Sequence, residues 1–351
     1  MRVLVTGATG LVGGQIFRSL RRRGCVTRVL LRRAADSAPF TTAGAECAFG
    51  DITDAVALSE AVAGVDAVVH CAAKVGDWGP VEAYRDVNVR GTAKLLELAA
   101  VAGVRRFVHV GSLGVYEARD HDGTDETVAP NAAGIDGYTR SKVESERLVV
   151  AAAERGEVPA VVLRPGFVYG PGDRTVLPRL VASIAAGKFA FLGPGTQRLN
   201  NTGVENFATA VERALFADDS DGLRDDLVGE VFNVTDDRLV TRLEFVETVA
   251  RLAGLPTPTR HVPLAVAKPL ASAMEATYRL LGKTEAPLLS AARVKFLGLD
   301  LAFSIEKAKR DLGYAPSVPF ETEMTRAVAW CRDAGLIPAA DGDRTEGSRA
   351  A

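Results

Sequence analysis

The sequence predicts an α/β protein: a Rossmann-type doubly wound parallel sheet with a smaller C-terminal substrate-binding region. Two observations carry this. Short β-branched runs alternate with amphipathic stretches through the first half of the chain, the pattern of successive βαβ units. A glycine-spaced turn, Thr6-Gly7-Ala8-Thr9-Gly10-Leu11-Val12-Gly13, lies between the first strand-like run and the first helix-like one.

Taken in order, strands are expected at Val3–Val5, Val26–Leu31, Glu46–Phe49, Ala67–His70, Phe107–Val110 and Ala160–Leu163. Helices are expected between them at Leu11–Arg23, Ala55–Val62, Val81–Ala102 and Tyr138–Arg155. Right-handed crossovers would gather the strand C-termini on one edge, where ligands bind. Residues 1–170 are assigned to the dinucleotide-binding part and 171–338 mainly to substrate binding, with a late strand returning to the sheet near Val231–Val234. The second part opens with Gly- and Pro-rich turns, Gly170-Pro171-Gly172 and Leu192-Gly193-Pro194-Gly195. The segment 262–282 reads as an apolar, weakly amphipathic helix interrupted at Pro269, a lid or packing helix; a peripheral membrane contact is the alternative. The polar tail 339–351 is expected to be disordered.

The chain has 351 residues, 42 Lys plus Arg against 44 Asp plus Glu, and a net charge of −2, which gives no electrostatic case for nucleic acid. Arg21–Arg23 suit the solvated C-terminal end of a helix. Four cysteines (Cys25, Cys47, Cys71, Cys331) show no metal-ligand spacing, and no metal is expected. His70 and His109 close strand-like runs and are expected to be packed and hydrogen-bonded. No signal peptide and no membrane-spanning apolar stretch is present, so a cytoplasmic location is expected.

In the glycine turn, Gly7 permits the tight bend, Gly10 lets backbone approach a pyrophosphate, and Gly13 lets the helix pack on the strand. The helix N-terminus presents free N–H groups to phosphates. Strand two ends in Leu31-Arg32-Arg33 rather than in an acid that would bind ribose hydroxyls. Arg32 suits a 2′-phosphate, so NADP(H) is preferred and NAD(H) remains possible. Asp51 and Ile52 follow strand three, at the adenine edge. Cys71, Ala72 and Ala73 follow strand four, where small side chains allow close approach.

Tyr138 and Lys142 are four apart and share one helix face. An ammonium beside a phenol is expected to lower the phenol's pKa and ready it for proton exchange. Ser112, at the end of strand five, can hydrogen-bond the same substrate oxygen.

From Gly7 to Leu312-Gly313-Tyr314-Ala315-Pro316, the chain resembles the extended short-chain dehydrogenase/reductase family, also called the NAD-dependent epimerase/dehydratase family. The resemblance implies that Ser112, Tyr138 and Lys142 are catalytic, that Lys142 also holds the nicotinamide ribose, and that Asn88 supports a proton relay or that lysine. It implies that Pro165, Gly166 and Val168 lie beside the nicotinamide, and that Arg32 stands where NADP-using reductases carry an arginine. A homodimer through the helices 81–102 and 138–155 is implied as well.

Departures narrow the substrate. Leu113-Gly114 stands where sugar-nucleotide dehydratases carry Asp-Glu, Phe167 where sugar-nucleotide epimerases carry an amide, and Arg198 is out of register with their diphosphate-binding arginine. Trp78, Leu113 and Phe167 are expected to face a more apolar substrate. With the loop around Trp78, this is similar to the 3β-hydroxysteroid dehydrogenase-like branch and its bacterial relatives that reduce 2-alkyl-3-ketoacids. The expected activity is interconversion of a secondary alcohol and a ketone on a sterol-like or 3-keto acyl-like molecule. The alternatives are a sugar-nucleotide epimerase with tightly bound NAD and a catalytically silent cofactor-binding regulator.

Overall fold

A computed structural model describes residues 1–216, 224–283 and 285–338. The expected tail lies outside them. The centre is a seven-stranded sheet. Five strands come first: β1 (Arg2–Thr6), β2 (Val26–Leu31), β3 (Glu46–Phe49), β4 (Ala67–His70) and β5 (Arg106–Val110). The spatial order runs from Val231–Val234 through Ala160–Pro165, β5, β4, β1 and β2 to β3, and every pairing is parallel. The chain leaves β1 toward β2 and β3, then returns to the other side of β1 as β4. The crevice at this reversal is where a dinucleotide fits such a sheet.

Both faces of the sheet are covered, so successive residues of its strands are apolar on both sides. Val3, Val5, Val29, Val69, Val108 and Leu163 pack with Ile16, Leu20, Phe207 and Val211 on one face. Leu4, Val68, Phe107 and Val162 pack with Leu58, Leu95 and Val149 on the other. Helix α1 (Leu11–Arg22) and the helix Val204–Leu215 supply the first cover. Ala55–Val62, Gly91–Val101 and Gly137–Glu154 supply the second.

Two helices differ from expectation. The run expected at Val81–Ala102 is α-helical over Val81–Arg85, widens to a π-helical turn over Asp86–Arg90, and is α-helical again over Gly91–Val101. The extra residue per turn falls on Asn88, and such turns concentrate at functional sites. Pro269 does not interrupt its helix, which is continuous over Leu264–Leu280. The carbonyl that Pro269 leaves without an N–H partner is that of Ala265. Both residues are exposed, so water can take the bond and the helix tolerates the ring.

The C-terminal region has its own core, with Tyr169, Leu177, Val181, Phe245, Val249, Met324 and Val328 at its centre. Helix Ala291–Gly298 crosses from there toward the C-terminal edge of the sheet, capped by Ser290 on the Arg293 N–H. No described helix is long and apolar enough to cross a membrane, and no described cluster of His, Cys, Asp and Glu could hold a metal ion.

Candidate active site

The glycines of the first turn are fixed by sterics. Gly7 has φ +70°, and a Cβ there would lie 2.8 Å from the Ala72 nitrogen. A Cβ on Gly13 would lie 2.4 Å from the Gly7 carbonyl oxygen, so the helix can approach β1 only without one. Gly10 differs, since a Cβ there would meet only the Gly7 oxygen at 3.4 Å. Gly10 also caps α1 without any side-chain hydrogen bond, leaving the first N–H groups near Leu11 and Val12 for a ligand. Thr6 Oγ1 accepts from the Cys71 and Ala72 N–H groups at 3.2 and 3.1 Å, which sets the β4 loop, with Ala73, against the turn that carries Thr9. These residues fit a dinucleotide pyrophosphate.

At the end of β2, Arg33 is engaged with Asp36 through two hydrogen bonds, at 3.0 and 2.9 Å. Arg32 is exposed and makes no hydrogen bond or ion pair among the described residues. Asp51 turns back to accept from Thr53, and Ile52 is buried under Gly91.

Ser112 and Tyr138 come together as expected. Ser112 closes β5, and its Oγ accepts from the Gly114 N–H at 3.0 Å. Its hydroxyl lies in hydrogen-bonding reach of the Tyr138 phenol. Tyr138 is in the first turn of its helix, which starts with a capping box between Asp136 and Thr139. Lys142 is 4% exposed, and its ammonium donates to the Val110 carbonyl at 2.5 Å.

The electrostatics correct the expectation about the phenol. Burial pushes the Tyr138 pKa up, the Ser112 hydrogen bond pulls it back, and the nearby Asp136 carboxylate adds to the rise. The Lys142 cation does not offset this, because it faces the sheet. Its own pKa is lowered by burial to about 8, against the opposing influence of Glu146. The four-residue spacing places two side chains on one face; it does not say where the ammonium points.

Asn88 does not touch Lys142. Its amide donates to the Lys74 carbonyl at 3.0 Å and to Ser141 Oγ at 2.8 Å, and its oxygen accepts from the Lys74 N–H at 2.7 Å. It thus ties the β4 loop to the helix Gly137–Glu154. His70 is packed and hydrogen-bonded, to Thr6 Oγ1 at 2.8 Å and Thr92 Oγ1 at 2.9 Å. His109 is packed, but neither ring nitrogen has a partner, which corrects the expectation for that residue. Its ring lies over apolar sheet and beside His70 at 5.3 Å, with no protein donor or acceptor in reach.

Pro165 ends a sheet strand, and Gly166 passes so close to Asn200 that a Cβ would lie 1.9 Å from its carbonyl oxygen. Val168 follows in a short strand paired with Asn201–Gly203. Phe167 packs on Phe245 and Phe296, with centroids 5.5 and 4.9 Å away. Leu113 is buried, with Phe296 packed on its cluster. Trp78 is a fastener: its indole N–H donates to the Lys283 carbonyl at 2.9 Å, its ring meets Tyr278 edge-on, and Arg279 lies over it.

Several residues had no sequence signal. Arg164 and Glu146 form a buried pair, and Arg164 also donates to the Tyr116 hydroxyl at 2.7 Å, which locks the helix Gly137–Glu154 to the sheet. Asp77 accepts from Ser290 Oγ at 2.7 Å and from Arg293 at 2.9 Å. Lys295 and Phe296, on helix Ala291–Gly298, stand against the Ser112 turn and Phe167. No motif surrounds that helix. The one legible signal was Asp136-x-x-Thr139, a capping pattern directly around Tyr138.

With glycine turn, parallel sheet and Ser112/Tyr138/Lys142 set in place, the site is that of a nicotinamide-dependent oxidoreductase of the extended short-chain type. Residues 3–234 match the NAD dependent epimerase/dehydratase family, and the chain belongs to that family. It is 29% identical to a 2-alkyl-3-oxoalkanoate reductase of Stenotrophomonas maltophilia, over 94% of this chain and 99% of the relative. It is 32% identical to a 3 beta-hydroxysteroid dehydrogenase/Delta 5-->4-isomerase of Mycobacterium tuberculosis, over 94% of this chain and 90% of the relative. These relatives support its place in the 3β-hydroxysteroid dehydrogenase-like branch. Among solved structures, that of gox2253 superposes with a TM-score of 0.79 at 29% identity, covering 96% of this chain and 99% of the other.

Proposed function

We propose that the chain interconverts a secondary alcohol and a ketone on a hydrophobic substrate, using NADP(H) in preference to NAD(H). The observation that carries this is the pair of adjacent hydroxyls, Ser112 and Tyr138, at the mouth of the β5 turn, walled by Leu113 and the tilted Phe167–Phe296 pair. The names of the two relatives, a 2-alkyl-3-oxoalkanoate reductase and a hydroxysteroid dehydrogenase, support an apolar carbon skeleton. Arg198 supports it from the other side: it is engaged by Asp300 and Asp122 and so is not free to clamp a sugar-nucleotide diphosphate. The exposed, unpaired Arg32 favours the 2′-phosphate of NADP(H).

The bound nicotinamide would supply or accept the hydride. This chain's residues handle the oxygen and its proton. Ser112 Oγ accepts from Gly114, so its own hydrogen is left to donate to the substrate oxygen. Tyr138, with its pKa pushed up, is protonated at neutral pH and donates to the oxygen as negative charge develops on it. The phenolate so formed regains its proton from solvent, because the Lys142 ammonium is held on the Val110 carbonyl. In oxidation the transfers reverse.

The test is an absorbance assay at the nicotinamide band with a panel of 3-keto and 3-hydroxy compounds. Tyr138→Phe should lower kcat by about a thousandfold or more while cofactor binding stays within a fewfold. Conversion of a UDP- or GDP-sugar with no turnover of the panel would overturn the reading.

A further inference from the structure

Lys295 carries a charge that the reading so far leaves without a use. It is 9% exposed, and its ammonium donates to the Gly114 carbonyl at 3.2 Å and the Tyr116 carbonyl at 2.6 Å. None of the described carboxylates forms an ion pair with it; Asp136 and Glu117 act on it only at longer range. A buried ammonium without a counter-ion is costly unless an anion arrives. A third N–H remains for such an anion.

Its location says where the anion would sit. Lys295 grips the turn that begins at Ser112, and the N–H of Gly114 donates to Ser112 Oγ. The cation is therefore held on the turn that Ser112 opens, at the Gly114 and Tyr116 carbonyls. Phe296, the next residue, packs on Phe167 and against the Leu113 cluster, so this helix walls the substrate space between those residues. A substrate held at its carbinol oxygen by Ser112 and Tyr138 brings an acid group toward this turn when that group is borne on the neighbouring carbon.

We propose that Lys295 binds the carboxylate of a 3-oxo or 3-hydroxy acid, so that the substrate is an acid with its carboxyl on the carbon next to the reacting one and an apolar chain beyond. This rests on the alcohol–ketone reading and narrows it.

The probes are a 2-alkyl-3-hydroxyalkanoic acid and its methyl ester, oxidised with NADP⁺. The wild-type protein should favour the acid in kcat/KM by about tenfold or more, as one charge-assisted hydrogen bond allows. Lys295→Met should erase that preference and Lys295→Arg should keep most of it. The acid-to-ester ratio in wild type should also fall as pH rises through about 8, where Lys295 loses its proton; the ester corrects for Lys142, which titrates in the same range. That measurement needs no variant to fold. Equal use of acid and ester by wild type, or an unchanged ratio in Lys295→Met, overturns the assignment and leaves the alcohol–ketone reading standing. Failure to oxidise either probe, with no turnover of other secondary alcohols, overturns both.

Discussion

Arg32 and Arg33 are neighbours in sequence and differ in what holds them. Arg33 is spent on Asp36, and Arg32 stands free at the end of β2. Arg32→Ala should therefore lower the ratio of kcat/KM for NADP⁺ over NAD⁺ by about tenfold or more, since a bidentate guanidinium–phosphate contact is worth at least that. Arg33→Ala should move it far less. Steady-state kinetics with both cofactors decides it, and an unchanged ratio in Arg32→Ala would remove that residue from the 2′-phosphate. At this scale the sequence showed which side chains share a face and which strand ends carry them. It did not show charge states. The upward push on Tyr138, the sheet-facing ammonium of Lys142 and the unpartnered ring of His109 depend on burial, which is decided by chain segments far away.

The helix Leu264–Leu280 packs through Ala267 and Ala271 on Leu192 and Val294, and is fastened again at its far end. Only Ala267 and Ala271 of its residues are buried, while Val266, Leu270 and Leu280 are exposed. The fastening comes from the β4 loop: Trp78 on Tyr278, Arg279 and the Lys283 carbonyl, and Asp77 on Ser290 and Arg293. Trp78→Ala should loosen this segment alone. Amide hydrogen exchange over residues 264–283 should rise by about tenfold, matching the loss of a partly exposed aromatic contact, with β1, β4 and β5 unchanged. Unchanged exchange there would mean the fastener is elsewhere. The helix itself was legible from its apolar residues, and the effect of Pro269 was not. A proline breaks a helix where its lost hydrogen bond is buried, and the exposure of Ala265 cannot be read from the local sequence. The π-helical turn at Asn88 was hidden in the same way, because it answers to the Lys74 and Ser141 contacts.

For the molecule as a whole, Glu323 couples stability to pH. It is fully buried, one of its carboxyl oxygens has no hydrogen-bond partner, and burial raises its pKa to about 7. The folded protein thus holds a proton that the unfolded chain releases near the ordinary glutamate value. This contribution is fully present below that value and is lost as pH rises through about 7. The loss is on the order of 3 kcal/mol. Glu323→Gln should flatten this slope and be the more stable form at pH 8. Urea titrations of both proteins at pH 5 and pH 8 test it, and parallel slopes would sink it. The seven sheet strands were legible because parallel strands buried on both faces read as apolar runs. The C-terminal half was not, since pairs such as Phe191–Leu192 with His261–Val262 are two residues long and form only because distant segments meet.

The last strand of the sheet has a consequence for synthesis. Val231–Val234 covers the edge left by Ala160–Pro165. A ribosome-bound chain that has emerged only through residue 165 can assemble six strands, and its newest one presents a bare row of amide and carbonyl groups. Nascent chains are exposed to edge-to-edge association until residue 234 is free of the exit tunnel. The order of translation therefore leaves the strand that ends beside the active site as the last to be closed.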